Sequence, residues 1–111
     1  MTRKYFNKKT NGYDSRKEAR RAFELNILEK AGEIINLQEQ VTFELLASFK
    51  DSSGNTERGI KYIADFVYYD NKLKHLVIED VKSAMTKKLS TYIIKRKLVK
   101  VRYPEYIFIE S

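Results

Sequence analysis

Two apolar stretches in the middle of the chain carry charged residues at positions where buried strands normally have none. Asp65 lies within the stretch 62–69, and Asp80 and Lys82 lie at the end of the stretch that begins at residue 76. A buried charge is costly unless it is paired or binds a metal ion. Residues two apart on a strand share a face, so Asp80 and Lys82 are expected side by side. Two carboxylates beside an ammonium group suit divalent-metal hydrolysis of a phosphodiester.

The composition of the chain limits which metal ion such a site could bind. The 111-residue chain has no cysteine and one histidine, His75, so thiolate and histidine-rich zinc sites are not expected. Carboxylate oxygens favour Mg²⁺ or Mn²⁺ instead. The length predicts one domain, at residues 14–111, behind a basic N-terminal arm at residues 1–13. No apolar run approaches the ~20 residues that cross a bilayer, so a cytoplasmic protein without membrane contact is expected.

Basic residues outnumber acidic residues and are unevenly distributed. The chain holds 22 Lys and Arg against 15 Asp and Glu, which gives a net charge of +7 at neutral pH. Residues 1–13 and 86–103 contain basic residues but no acid. Such runs favour a nucleic-acid partner, and a solvated basic surface is the alternative. The candidate phosphate-binding residues are Lys8, Lys9, Arg16, Lys17, Lys87, Lys88, Lys95, Arg96 and Lys97.

Two helices are expected to hold these elements in place. The first begins at Asp14 or Ser15, which are suitable N-caps, and ends before Gly32. Its apolar stripe is predicted to consist of Ala19, Ala22, Phe23, Leu25, Ile27 and Leu28. The second helix is predicted at residues 86–101 and is ended by Pro104. Its inward residues are predicted to be Ile94, Leu98 and Val101.

Four strands are expected to accompany the helices. Residues 33–40 are predicted to connect the first helix to an antiparallel meander at residues 41–50, 58–69 and 73–82. The second and third of these strands are apolar on both faces, so helices should cover both sides of the sheet. The segment before a last strand at residues 106–109 is long enough for a crossover, which predicts that this strand runs parallel to the third.

This order of elements and four of the charged residues resemble the PD-(D/E)XK nuclease superfamily. Ile-Ala-Asp at residues 63–65 stands where the superfamily has its Pro-Asp strand, with alanine in place of proline. Asp-Val-Lys at residues 80–82 stands as the (D/E)-X-K motif. Ser-Arg-Lys-Glu at residues 15–18 is similar to the acidic helical position of phage T7-type endonuclease I and of Holliday-junction resolvases. The resemblance implies an α/β fold with a restriction-endonuclease-like core, α-β-β-β-α-β, in which helices flank a mixed central sheet.

The resemblance also implies a role for each residue. Asp65, Asp80 and the carbonyl oxygen of Val81 are expected to bind Mg²⁺ or Mn²⁺. Glu18 is expected to bind a second metal ion or a metal-bound water. Lys82 is expected to orient the attacking water or to neutralise the transition state. The implied catalytic set is therefore Glu18, Asp65, Asp80 and Lys82.

The implied function is that of a metal-dependent DNA endonuclease. Selectivity for branched or Holliday-junction DNA, in phage recombination or replication, is the natural subclass for a chain without a separate recognition domain. A homodimer with two active sites is expected by analogy with the family. The alternatives are a catalytically inactive nucleic-acid-binding protein on a nuclease scaffold and a phage accessory protein.

Each residue also has a purely structural interpretation. Glu18 lies three residues after Ser15, which is the spacing of a capping box. Asp65 could pair with Lys61 or Lys82, and Asp80 and Lys82 could form a surface ion pair. Glu79, on the opposite face of its strand, could be the acid that matters for stability. Arg16 and Lys17 occupy a first helical turn, where the helix dipole disfavours cations, so a nearby phosphate would explain them better.

Overall fold

The computed structural model describes residues 15–111, which form a four-stranded sheet, a short hairpin and three helices. The helices are α1 (Arg16–Lys30), α2 (Ala84–Lys87) and α3 (Ser90–Arg102). The strands are β1 (Ile34–Leu46), β2 (Phe49–Lys50), β3 (Thr56–Glu57), β4 (Ile60–Asp70), β5 (His75–Asp80) and β6 (Tyr106–Glu110). The predicted basic arm, with Lys8 and Lys9, lies outside the described residues. Within the described range, no helix is long and apolar enough to cross a membrane.

The main sheet is mixed, and its strand order is β1-β4-β5-β6. The first three strands pair antiparallel, because each follows its neighbour through a hairpin connection. β6 returns beside β5 in parallel orientation after the crossover through α2 and α3. The predicted parallel last strand is therefore confirmed. The short strands β2 and β3 pair only with each other, as a hairpin between β1 and β4.

Helices cover the two opposite faces of this sheet. Consecutive residues of a strand point to opposite faces, and Val77 and Ile78 of β5 accordingly belong to different core clusters. Val77 lies in the cluster that contains Ala22 and Leu25 of α1. Ile78 lies in the cluster that contains Val99 of α3. The prediction of a mixed α/β fold with flanking helices is confirmed at this level.

Several predicted boundaries were wrong. Residues 33–40 are not a connection, because β1 begins at Ile34 and ends at Leu46. Its apolar alternation is hidden by a shift in register between Ile35 and Gln38. The predicted second helix is two helices, since the backbone at Leu89 is extended between α2 and α3. In β5, the strand begins only at His75, after a turn whose amides bond to the side chain of Asp70.

The predicted apolar stripes were partly wrong as well. On α1 the buried residues are Glu18, Ala22 and Leu25, and the apolar Phe23 and Ile27 are exposed. On α3, Leu98 packs against the core as predicted, but Ile94 and Val101 are exposed and the buried residues are Tyr92 and Val99. In both helices a residue with a polar group takes a buried position that a count of apolar residues assigns to a hydrophobic one.

Candidate active site

The candidate site lies where β4 and β5 separate. Their ladder ends at the pair Phe66 and Glu79, and beyond it carboxylates accept the backbone hydrogen bonds. The N–H of Asp65 donates to Oδ1 of Asp80 over 3.2 Å. The N–H of Val81 donates to Oδ2 of Asp65 over 2.8 Å. We call this opening between the strands the fork. It brings the two predicted metal-binding carboxylates together.

A change of face in β4 explains how Asp65 reaches β5. Before this residue, Tyr62 and Ala64 belong to the cluster under α3. After it, Phe66 and Tyr68 belong to the cluster under α1. Residues on the same face should be two apart along a regular strand, and Val67, three after Ala64, is the next residue in the α3 cluster. The alternation therefore shifts at Asp65, and its carboxylate contacts the neighbouring strand.

Asp80 is completely buried and has several polar neighbours. It accepts a short hydrogen bond from the hydroxyl of Tyr62. Nζ of Lys82 lies 3.4 Å from its Oδ2 atom. The same ammonium group lies 5.4 Å from the centre of the Tyr92 ring, where the negative ring face attracts a cation. Asp80 and Lys82 are thus in contact, although β5 has already ended at Asp80.

Glu18 reaches the fork from α1. Its backbone N–H donates to Oγ of Ser15 over 3.0 Å, so Ser15 caps the helix as its spacing predicts. Its carboxylate is buried and accepts a hydrogen bond from Nε2 of Gln40 over 3.1 Å. That same Nε2 atom lies 3.4 Å from Oδ1 of Asp65. The backbone N–H of Glu18 therefore takes part in the helix cap, and its side chain belongs to the carboxylate cluster at the fork.

The clustered carboxylates change the protonation of the fork. Burial, together with the charges of Asp80 and Glu18, raises the pKa of Asp65 from its ordinary value of 3.8 to about 7, although the Val81 N–H opposes the shift. Burial and the adjacent Asp80 charge raise the pKa of Tyr62 well above its usual range. Below about pH 7, Asp65 therefore binds a proton that a cation could replace.

The oxygen donors at the fork fit a hard divalent cation, but the side chains alone do not complete its coordination. Asp65 and Asp80 each supply a carboxylate that accepts a backbone N–H from the other's segment, and Val81 follows Asp80 directly. Among residues 15–111, no group of three or more Asp, Glu or His side chains is close enough to hold a metal ion by itself. A bound ion would thus need backbone oxygen, water or substrate oxygen to complete its coordination, as Mg²⁺ usually does.

A solvent-open cleft of about 340 Å³ gives access to the fork, and its walls carry both charge types. The acids that line it are Glu18 and Asp65, and the cations are Lys17 and Lys82. Nζ of Lys17 donates to the carbonyl oxygen of Lys82 over 3.0 Å, so this first-turn cation has a partner within the protein. Lys82 also lines a second cleft, of about 390 Å³, on the α3 side of the sheet.

A comparison of the sequence with family models matches nearly the whole chain. The model of the DUF1064 family, whose members are described as proteins of unknown function, matches residues 2–109. The chain belongs to the DUF1064 family. No curated protein and no solved structure matches it. The matched region of this DUF1064 chain includes α1, the fork and both clefts.

The predicted phosphate-binding residues occupy different surroundings in the DUF1064 chain. Lys95 lines the α3-side cleft together with Lys61 and Lys82. Arg96 lies 3.6 Å from Glu110 and over the ring of Tyr92 instead of facing solvent freely. The exposed residues of the predicted set are Arg16, Lys17, Lys88 and Lys97, and Lys87 is half-buried.

A second buried acid lies on the opposite face of β5. Glu79 is fully buried and accepts hydrogen bonds from Nε and the terminal guanidinium nitrogen of Arg21, over 2.5 and 3.1 Å. It also accepts a bond of 2.6 Å from the hydroxyl of Tyr68. The interpretation of Glu79 as a structural acid agrees with these contacts.

In contrast, no ion pair within residues 15–111 involves Asp65, so its suggested pairing with Lys61 or Lys82 is wrong.

Sequence reasoning missed three residues of the site: Gln40, Tyr62 and Tyr92. Tyr62 and Tyr92 could have been considered, because buried tyrosine hydroxyls need a polar partner and each lies on an element near the motif. No signal identifies Gln40, since its contacts depend on the register between β1 and β4.

Proposed function

We propose that the protein is a metal-dependent nuclease on a restriction-endonuclease-like fold of the PD-(D/E)XK type. The observation that carries this proposal is the fork, in which the N–H of Asp65 donates to the carboxylate of Asp80, the N–H of Val81 donates to the carboxylate of Asp65, and Lys82 pairs with Asp80. The strand order, with three antiparallel strands and a parallel last strand, also supports the resemblance. Glu18 approaches from α1, as the resemblance implies.

The chemistry follows from the residues at the fork. A divalent cation bound by Asp65 and Asp80 would supply charge stabilisation for the phosphate and lower the pKa of a water ligand. The carbonyl oxygen of Val81 is a further candidate ligand, and Glu18 is placed to accept hydrogen bonds from water in the cleft. Lys82 lines both clefts, so its ammonium group is available to contact a phosphate oxygen or the attacking water.

The substrate is proposed to be DNA, and branched DNA in particular. The lysines of the α3-side cleft, Lys61, Lys82 and Lys95, lie beside the exposed apolar side chains of Ile63 and Leu89. Cations next to apolar surface suit a nucleic-acid strand, whose phosphates and bases need both. Branch selectivity, a homodimer and a role in phage recombination rest on the family resemblance.

A cleavage assay tests the proposal directly. Labelled four-way junction, flap, linear and single-stranded DNA are incubated with the protein, with Mg²⁺, Mn²⁺ or chelator. We expect metal-dependent internal cleavage, with the junction or flap cut fastest, and loss of cleavage in Asp80→Asn. Glu105→Gln, which changes an exposed acid outside the fork, is the matched control and should cut normally. Equal cleavage by wild type and Asp80→Asn would contradict the assignment.

A second candidate function is nucleic-acid binding without catalysis. The observation that favours it is that Asp80 already has Tyr62 and Lys82 as partners. This alternative predicts salt-sensitive DNA binding that Mg²⁺ does not alter. Changing Lys95 and Lys97 to alanine should then reduce the slope of log affinity against log salt by about 0.9 per lost phosphate contact, while no substrate is cut.

A further inference from the structure

Gln40 combines a strained backbone with a bridging side chain. It has φ of +55° in the middle of β1, a conformation that non-glycine residues adopt at a cost. The pairs on either side, Glu39 with Phe66 and Val41 with Ala64, are regular, but the intervening pair of Gln40 with Asp65 is missing. The strain thus falls opposite the residue at which β4 changes face.

The side-chain amide of Gln40 lies between two carboxylates of the cluster. Its Nε2 atom donates to Oε2 of Glu18 over 3.1 Å and lies 3.4 Å from Oδ1 of Asp65. One amide group thus contacts two carboxylates from different elements, α1 and β4. An amide donor reduces the repulsion between them without adding a charge, so the net negative charge that attracts a cation is kept.

We propose that Gln40 is a positioning residue whose side-chain amide sets the separation of Glu18 and Asp65 and thereby the affinity of the fork for a divalent cation. The cation part of this statement rests on the proposed function. Strained residues that persist at such places are usually held by surrounding structure for a functional reason. Groups that orient metal ligands typically change metal affinity or activity by about 10- to 100-fold when they are removed.

Gln40→Met tests the amide, because methionine is of similar length but donates no hydrogen bond. Gln38→Met, two residues earlier on the same strand and also exposed, is the matched control. Calorimetric titration with Mn²⁺ should show about tenfold weaker binding for Gln40→Met and wild-type binding for Gln38→Met. Single-turnover cleavage at Mn²⁺ concentrations below saturation should also be slower only in Gln40→Met, and saturating Mn²⁺ should restore most of the rate. Unchanged affinity and rate in Gln40→Met would overturn the proposal.

A pair of glycine variants separates the amide from the backbone strain. Asn36 also has a positive φ, of 59°, in the same strand, and its side chain does not bridge carboxylates. Gln40→Gly and Asn36→Gly therefore both remove a non-glycine residue from a positive φ, with the larger relief at Gln40 because asparagine tolerates this conformation better. We expect only Gln40→Gly to lose Mn²⁺ affinity. Equal affinities in the two variants would show that the side chain of Gln40 has no positioning role.

A metal-free measurement distinguishes failure of this inference from failure of the proposed function. In chelator, the loss of Tm in the double variant Gln40→Met/Glu18→Gln should fall short of the sum of the single losses by about 2 °C or more. The same cycle with Gln38→Met should be additive. If wild type binds no Mn²⁺ and cuts no DNA, the proposed function fails, and this cycle alone decides whether Gln40 positions the carboxylates. Additivity in the Gln40 cycle would overturn that role.

Discussion

Glu79 and Asp80 are consecutive in β5 and equally buried, yet their surroundings differ fundamentally. Glu79 faces α1 and is satisfied by two bonds from Arg21 and one from Tyr68. Asp80 faces the other way and shares the fork with a second carboxylate, Asp65. Burial alone therefore does not identify a functional acid. Each of the two acids has a cation beside it, Arg21 for Glu79 and Lys82 for Asp80, but only Asp80 also has a second carboxylate nearby, which leaves negative charge for a ligand.

The largest expected effect comes from removing the cation partner of each acid. Arg21→Met leaves the buried Glu79 with only the Tyr68 hydroxyl as a partner. Breaking a buried ion pair is costly, and the partial exposure of Arg21 places the expected loss at the lower end of the range. The free energy of unfolding should fall by about 3 kcal/mol. Lys82→Met should cost about 1 kcal/mol or less, since Asp80 keeps two other donors. Urea denaturation in chelator measures both. Equal losses would remove the distinction between the two acids.

For the rate of cleavage we expect the opposite order, with a larger effect of Lys82→Met than of Arg21→Met. Lys82→Met should slow single-turnover cleavage by about 100- to 1000-fold, because a charge beside the reacting phosphate is lost. Under the proposed function, binding to junction DNA should persist, since the other lysines would still be available to the DNA backbone. Lys72→Met, in the exposed turn before β5, is the control. Wild-type cleavage by Lys82→Met would favour the non-catalytic function.

The two tyrosine hydroxyls sharpen the comparison on a smaller scale. Tyr68→Phe and Tyr62→Phe each remove a donor from a buried carboxylate and should each cost about 1.5 kcal/mol in chelator. Mn²⁺ should restore stability only in Tyr62→Phe, because a cation can replace the donor at Asp80 but not at Glu79. Thermal melts of both variants with and without Mn²⁺ test this, and equal restoration would contradict it.

The smallest expected effect is the dependence of metal binding on pH. The pKa of Asp65 is about 7 in the folded protein and about 3.8 in the unfolded chain. The metal-free folded state therefore binds this proton more tightly. The resulting contribution to stability is complete below pH 3.8 and is lost as the pH rises through 7. A cation requires the ionised form, so Mn²⁺ affinity should rise about tenfold from pH 6 to pH 8. The rise in Tm with Mn²⁺ should follow.

Asp65→Asn should abolish this pH dependence, and Glu105→Gln should leave it intact. Melting curves at both pH values provide the measurement. A Tm shift that is the same at pH 6 and pH 8 in wild type would separate Asp65 from the cation site.

The sequence predicted that Asp65 and Asp80 lie near each other, because the determinants of that pairing are local, but the change of face at Asp65 was not predicted. Asp65 and Asp80 lie on two strands joined by a short turn, so the register follows from the turn and the apolar pattern. The start of β1 was not predictable in this way, because Asn36 and Gln40 have positive φ and interrupt the alternation. The face of α1 was partly wrong for a related reason. Glu18 occupies the buried stripe, and nothing in the helical spacing indicates that a carboxylate is needed there.

The backbone bonds at the fork also give the protein internal reporters. The backbone N–H groups of Asp65 and Val81 donate hydrogen bonds to carboxylate oxygens, whereas in a regular β-ladder the acceptors are backbone carbonyl oxygens. A carboxylate changes its strength as an acceptor when it gains a proton or a cation, and a peptide carbonyl in a ladder does not. The exchange rates and nuclear magnetic resonance shifts of these two amides therefore report the charge state of the site without any attached probe.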